Sequence, residues 1–81
     1  MKSIYDDRYR RVINYLKDAR KQKGMSQAQV AAKLKVPRVR ITKIESYDRR
    51  LDILELHEMA ALYGISMAEI VTWLSAGEGS A

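Results

Sequence analysis

The chain has 81 residues, with 15 Lys and Arg against 10 Asp and Glu, a net charge of +5 and no cysteine. That length holds one domain able to bury roughly 60% of its unfolded surface and leaves no room for a second. Without cysteine there is neither a disulfide framework nor a thiolate metal site, and no uncharged run approaches the roughly 18 apolar residues that cross a bilayer. The expectation is a soluble, untargeted, cytoplasmic protein.

The first predicted helix begins at about residue 5 and runs to about Lys23, because Tyr5, Tyr9, Val12, Ile13, Leu16 and Ala19 recur at intervals of three and four and mark one apolar face. Gly24 stops it. Arg20 lies inside that apolar stripe, where a charge is tolerated only with a partner.

Ser26 with Gln29 has the spacing of a capping box and opens helix two. Pro37 suits the first turn of helix three, where its missing N–H costs nothing, so helix three is predicted from about Pro37 to Ser46. On a 100° wheel Ile41 and Ile44 point inward with Glu45 at their edge, while Arg38, Val39, Thr42, Lys43 and Ser46 point outward. Glu45 is therefore the partner expected for Arg20, in a pair that ties the first helix to the third.

Asp52 with Glu55 and Ser66 with Glu69 are two further capping boxes that open helices four and five. Ile53, Leu56, Met59, Ala60 and Tyr63 form the predicted core stripe of helix four, and Gly64 ends it in the left-handed conformation. Helix five, about Ser66 to Ser75, is predicted to bury Met67, Ile70, Val71 and Leu74. Residues 1–75 thus read as one all-α, five-helix domain. The tail 76–81 has no apolar anchor and is expected to be disordered.

Charge follows this order. Every Lys and Arg lies at or before Arg50, whereas Leu51 to Ala81 carries Asp52, Glu55, Glu58, Glu69 and Glu78 and no basic residue. Residues 20–50 hold ten Lys and Arg against Glu45 and Asp48, a local net of +8 that attracts a polyanion.

Two short helices with a tight turn, the second basic on its outer side, are the layout of a helix-turn-helix that places its second helix in the major groove of double-stranded DNA. Arg38, Val39 and Lys43 are the expected base readers: Arg and Lys donate to guanine O6 and N7, and Val packs on a thymine methyl. Thr42 can hydrogen-bond a base or a phosphate. Arg40 at the groove wall, Arg49 and Arg50 in the following loop, and Ser46 at the helix end are assigned to phosphate. Gln27, at the first position of helix two, is expected to place its side-chain amide and backbone N–H on a phosphate.

Leu54, Ala61 and Leu62 lie opposite the core stripe of helix four and Trp73 at the edge of helix five, giving a candidate surface for a partner. The alternative is that Tyr5 and Tyr9 cover Trp73 within one chain. Catalysis finds no support, since His57 is the only histidine, lies on the outward side of helix four, and no carboxylate pair sits near a plausible nucleophile. No metal or cofactor is implied.

The segment Lys23-Gly-Met-Ser-Gln-Ala-Gln-Val-Ala-Ala-Lys-Leu34, with Ile41-Thr-Lys-Ile-Glu45 and Arg49-Arg-Leu-Asp52, resembles the Cro/repressor-type helix-turn-helix family, also named for xenobiotic response elements. The resemblance covers about Val12 to Leu74. It implies a lambda-repressor-like fold, a phosphate contact at Gln27, a small residue at Ala31 that lets helices two and three approach, base contacts at Arg38, Val39 and Lys43, and an Arg20–Glu45 ion pair. It further implies a two-fold homodimer on a near-palindromic operator, acting as a repressor. Two positions depart from the pattern: Lys35 stands where the turn usually has Gly, with a further phosphate contact as the expected return, and Tyr47 where Gly often follows the recognition helix. The alternative function is the antitoxin of a toxin–antitoxin pair, gripping its partner through the acidic half.

Overall fold

The computed structural model describes residues 6–75, which form five helices and no strand: α1 (Asp7–Gln22), α2 (Gln27–Leu34), α3 (Arg38–Glu45), α4 (Ile53–Tyr63) and α5 (Met67–Ser75). The disorder expected at 76–81 and any role of Tyr5 lie outside the described residues. Side chains from every helix meet in one core, in which Ile13, Leu16, Val30, Ile41, Ile44, Met59 and Ile70 are fully enclosed. Each such side chain contributes about 1.5–3 kcal/mol relative to exposure. Ala31 is buried between α2 and α3, which make the most extensive helix pair in the molecule.

The helix starts follow local chemistry. Asp6 caps α1 by accepting the Arg8 backbone N–H at 2.8 Å, and hydrogen bonds from the Arg8 side chain and backbone bring its carboxyl down to about 2. Reciprocal capping boxes close at Ser26/Gln29, Asp52/Glu55 and Ser66/Glu69. Pro37 corrects the expected start of the third helix. Its φ of −63° is helical, but its ψ of 145° is extended, so it is the residue before the helix and not the first turn within it. Ser46 likewise stands just beyond the last turn, and α1 starts at Asp7 rather than about residue 5.

Four helices end the same way. At Gly24, Lys35, Tyr47 and Gly64 the backbone turns left-handed, with φ between 58° and 75°. The next N–H reaches back five residues in each case: Met25 to Arg20, Val36 to Ala31, Asp48 to Lys43 and Ile65 to Ala60, at 2.8–3.2 Å. This paired closure satisfies carbonyls that a helix end leaves open. Both non-glycine positions therefore keep the geometry that glycine would favour. Tyr47 is held there by its hydroxyl, which donates to Asn14 Oδ1, and by the Arg10 guanidinium 4.5 Å above its ring. Lys35 is exposed. Lys35→Gly is accordingly expected to raise stability in urea by about 1 kcal/mol, the steric cost of a β-carbon in this conformation; a destabilisation would show that the lysine side chain contributes more than the strain it brings.

The acidic half departs from its expected faces. Ile53, placed in the core stripe from its spacing, is 73% exposed, and Glu55 is buried in its stead. Leu62, assigned to the outer surface, is partly buried against the core, whereas Leu54 at 72% exposure and Ala61 do face solvent. The cause is Glu55: its carboxylate receives the Asp52 N–H at 3.0 Å and Arg49 Nη1 at 2.9 Å, which draws that side of the helix inward. In α5 only Ile70 is buried, while Val71 at 58% and Leu74 at 39% exposure stand outside the core that periodicity assigned them. Helix α5 docks on α1 through Trp73, whose ring packs on Tyr15 at 4.9 Å and whose carbonyl accepts Arg11 Nη1. Tyr15, rather than Tyr9, covers one side of Trp73; the Tyr9 hydroxyl instead accepts the Leu51 N–H. Tyr15 also donates to Glu69 at 2.8 Å; the Ser66 backbone N–H, and after it this contact, lowers the Glu69 carboxyl.

Candidate nucleic-acid interface

The α3 helix is half sealed and half open. Ile41 and Ile44 are each 1% exposed, whereas Arg38, Val39, Thr42 and Lys43 all face solvent, Val39 with 56% of its surface. The four form one contiguous outer face, since 42 lies four residues from 38 and three from 39, and 43 lies four from 39.

What fixes the pitch of this face is a buried polar cluster behind it. Arg20 reaches from α1 and grips Glu45 with two parallel bonds, Nε to Oε2 at 2.7 Å and Nη2 to Oε1 at 2.9 Å. Its remaining Nη1 donates to the Met25 carbonyl at 2.7 Å. One guanidinium thus pins α3, the end of α1 and the segment entering α2 to a common point. Only arginine has the planar fork to do so. The Glu45 hydrogen bond raises the Arg20 guanidinium above its ordinary range. Tyr63 lies nearby with its hydroxyl buried and, among the described residues, without a hydrogen-bond partner; burial pushes its pKa upward.

Several residues assigned to phosphate have internal work. Gln27 does not project its amide outward: Nε2 donates to Glu45 Oε1 at 3.0 Å, and Oε1 accepts the Thr42 hydroxyl at 2.7 Å. Arg49 directs Nη1 at both Glu55 oxygens, at 2.9 and 3.0 Å, and Arg40 Nη1 lies 3.5 Å from the same carboxylate. Two guanidinium groups share the one Glu55 carboxylate, so its charge does not neutralise both. The Ser46 hydroxyl donates to Asp48 Oδ2 at 2.9 Å and serves the turn that closes α3. Lys35 and Arg50 are exposed.

Sequence reasoning missed Glu55 as an organiser of the basic edge. The signal was present, because an acid three residues after Asp52 reads as a cap, but Glu55 also lies within reach of the basic Arg49-Arg50 loop. The polarity of Gln27 was missed because it depends on Glu45, 18 residues away.

No described helix is long and apolar enough to cross a membrane, and no group of three or more His, Asp or Glu among the described residues is arranged to hold a metal. No curated protein matches the chain. A family model described as helix-turn-helix matches residues 16–70, which takes in the Arg20–Glu45 clamp, the two helices joined at Lys35, and α4. With a match over more than half of its length and this all-α lambda-repressor-like architecture, the chain belongs to the Cro/repressor-type helix-turn-helix family of DNA-binding transcriptional regulators.

Proposed function

We propose that the protein is a sequence-specific repressor that binds a near-palindromic operator as a homodimer, each copy laying α3 in the major groove. The reading rests above all on the open face Arg38, Val39, Thr42 and Lys43, held by a helix whose opposite side is locked in the core. Arg38 and Lys43 supply donors for guanine O6 and N7, and Val39 supplies an apolar surface for a thymine methyl. Lys35 and Arg50 flank this face as phosphate contacts, with Arg40 and Arg49 adding the residual charge left by Glu55. The backbone N–H of Gln27 at the start of α2 remains suited to a phosphate, although its side chain is engaged inside. A DNA-binding regulator acts where the DNA lies, which for this reading is the cytoplasm.

The uncovered Ile53, Leu54 and Val71 on the acidic half support a protein partner, and a second copy is the occupant that also doubles the DNA contact. A toxin on the same half is the other reading this exposure favours. Light scattering of the purified protein, followed by capture from its native host, separates them: a stable mass of twice the chain supports the homodimer, and a one-to-one complex with another small protein supports the antitoxin.

Selection of bound duplexes from a random pool tests the function. The expected result is an enriched, two-fold symmetric sequence with half-sites about 34 Å apart; absence of any enrichment overturns it. Arg50→Ala is expected to weaken specific and random duplexes alike and to reduce the salt slope by about one. Fluorescence anisotropy across a salt series reads this, and an unchanged slope removes Arg50 from the phosphate contacts.

A further inference from the structure

The hydrogen-bond chain behind α3 has a direction. A carboxylate only accepts, and Glu45 Oε1 and Oε2 take the two Arg20 bonds. Gln27 is the next group on Oε1, at 3.0 Å. Turning its amide over would set a carbonyl oxygen against a carboxylate oxygen with no proton between them, so the NH2 end must face Glu45. The Gln27 oxygen then faces the Thr42 hydroxyl at 2.7 Å and has no proton to give. Thr42 is the donor. Its second neighbour, the Arg38 carbonyl at 3.3 Å, is an acceptor as well. In either arrangement the one hydroxyl proton of Thr42 points inward, and lone pairs are what its oxygen turns to solvent.

This matters for what Thr42 can recognise. A threonine is ordinarily ambivalent toward bases, able to donate or accept. Here Arg20 and Glu45 determine the orientation of Gln27, and Gln27 determines the polarity of Thr42. In the major groove the hydrogen-bond donors are the amino groups of adenine N6 and cytosine N4. We propose that Thr42 is a dedicated acceptor for one base amino group, adenine N6 or cytosine N4, and that Gln27 is the positioning residue that enforces this choice. Arg38 and Lys43 can only donate, so Thr42 gives the face its one complementary acceptor next to them. The inference rests on the groove-reading function proposed above.

The test uses the duplex enriched from the random pool. Each adenine is replaced in turn by purine, which lacks the amino group, and each cytosine by 2-pyrimidinone. Guanine and adenine are separately replaced by their 7-deaza forms, which remove an acceptor. Affinities are measured for the wild-type protein, Thr42→Val and Gln27→Leu, with circular dichroism to verify folding. One amino deletion is expected to weaken wild-type binding about fivefold, the value of a single hydrogen bond, and to leave Thr42→Val unchanged. In Gln27→Leu the acceptor at 2.7 Å is lost and only the longer contact to the Arg38 carbonyl at 3.3 Å is left to hold the proton inward, so discrimination at that same base is expected to fall; undiminished discrimination in this variant overturns the positioning role of Gln27. Coupling of Thr42→Val to a 7-deaza position, or to no position at all in a duplex that is otherwise bound selectively, overturns the proposal and leaves the DNA-binding function standing. Failure of any duplex to enrich overturns both.

Discussion

Arg20→Ala is expected to lower the unfolding free energy by about 3–5 kcal/mol, measured by urea titration. Arg20 and Glu45 are 7% and 5% exposed, and truncation strands the Glu45 carboxylate with the Gln27 amide as its remaining partner. It also leaves the Met25 carbonyl without its donor. Domains of this size are stable by only about 5–15 kcal/mol, so the variant sits near the edge of folding. Arg20→Lys keeps the charge but offers one point donor in place of a fork, and an intermediate loss is expected. Arg20→Met combined with Glu45→Leu recovers much of the stability, because no buried charge is left unpaired. A loss below about 1 kcal/mol for Arg20→Ala would mean that the pair is solvated and does not hold α3.

Lys43→Ala is expected to reduce the preference for the selected duplex over random DNA by about 1–3 kcal/mol. Lys43 is exposed on the outer face of α3, one turn beyond Val39, and its side chain carries no contact on which the core depends. Melting temperature should stay close to that of the wild-type protein, which separates this effect from that of Arg20→Ala. The contrast with Arg50→Ala is the informative part. A base contact changes the ratio of specific to random binding, whereas a phosphate contact lowers both together. Competition between labelled selected duplex and unlabelled random duplex reads the ratio directly. Equal losses on both would move Lys43 to the phosphate set.

Much of this architecture is legible because its determinants are local. The pairs Ser26/Gln29, Asp52/Glu55 and Ser66/Glu69 mark three helix starts from residues three apart, and each box closes in the structure. The Arg20–Glu45 contact spans 25 residues yet could be inferred, since each charge falls on a stripe that only a partner makes tolerable.

Failures came where a distant group overrode the local pattern. Periodicity places Ile53 inward, but Arg49 and Arg40 from outside α4 pull Glu55 in and turn Ile53 out. Pro37 has the φ of a helical residue, and nothing in its own identity sets the extended ψ that keeps it outside. Val71 and Leu74 are apolar at helical spacing, yet among the described residues α5 has only α1 as an extensive neighbour, and both stay outside the core.

The candidate site shows the same division. Which residues of α3 face outward follows from its 3.6-residue period, and Arg38, Val39, Thr42 and Lys43 are open as that period requires. Which of their neighbours are already engaged does not follow from it. Gln27 and Arg40 have polar partners 18 and 15 residues away that only three-dimensional proximity supplies, whereas Arg49 and Ser46 bond Glu55 and Asp48 closer in the chain.

The central claim is that the outer face of α3 lies against base pairs. Backbone amide shifts, followed by NMR as the selected duplex is added, test it most directly. The account predicts that the largest changes fall on residues 38–46 and at the start of α2, with smaller ones near Arg50 and little change in the α1 residues lining the core. Shifts concentrated on α4 and α5, or an unperturbed α3 in a protein that still binds the duplex, would contradict it.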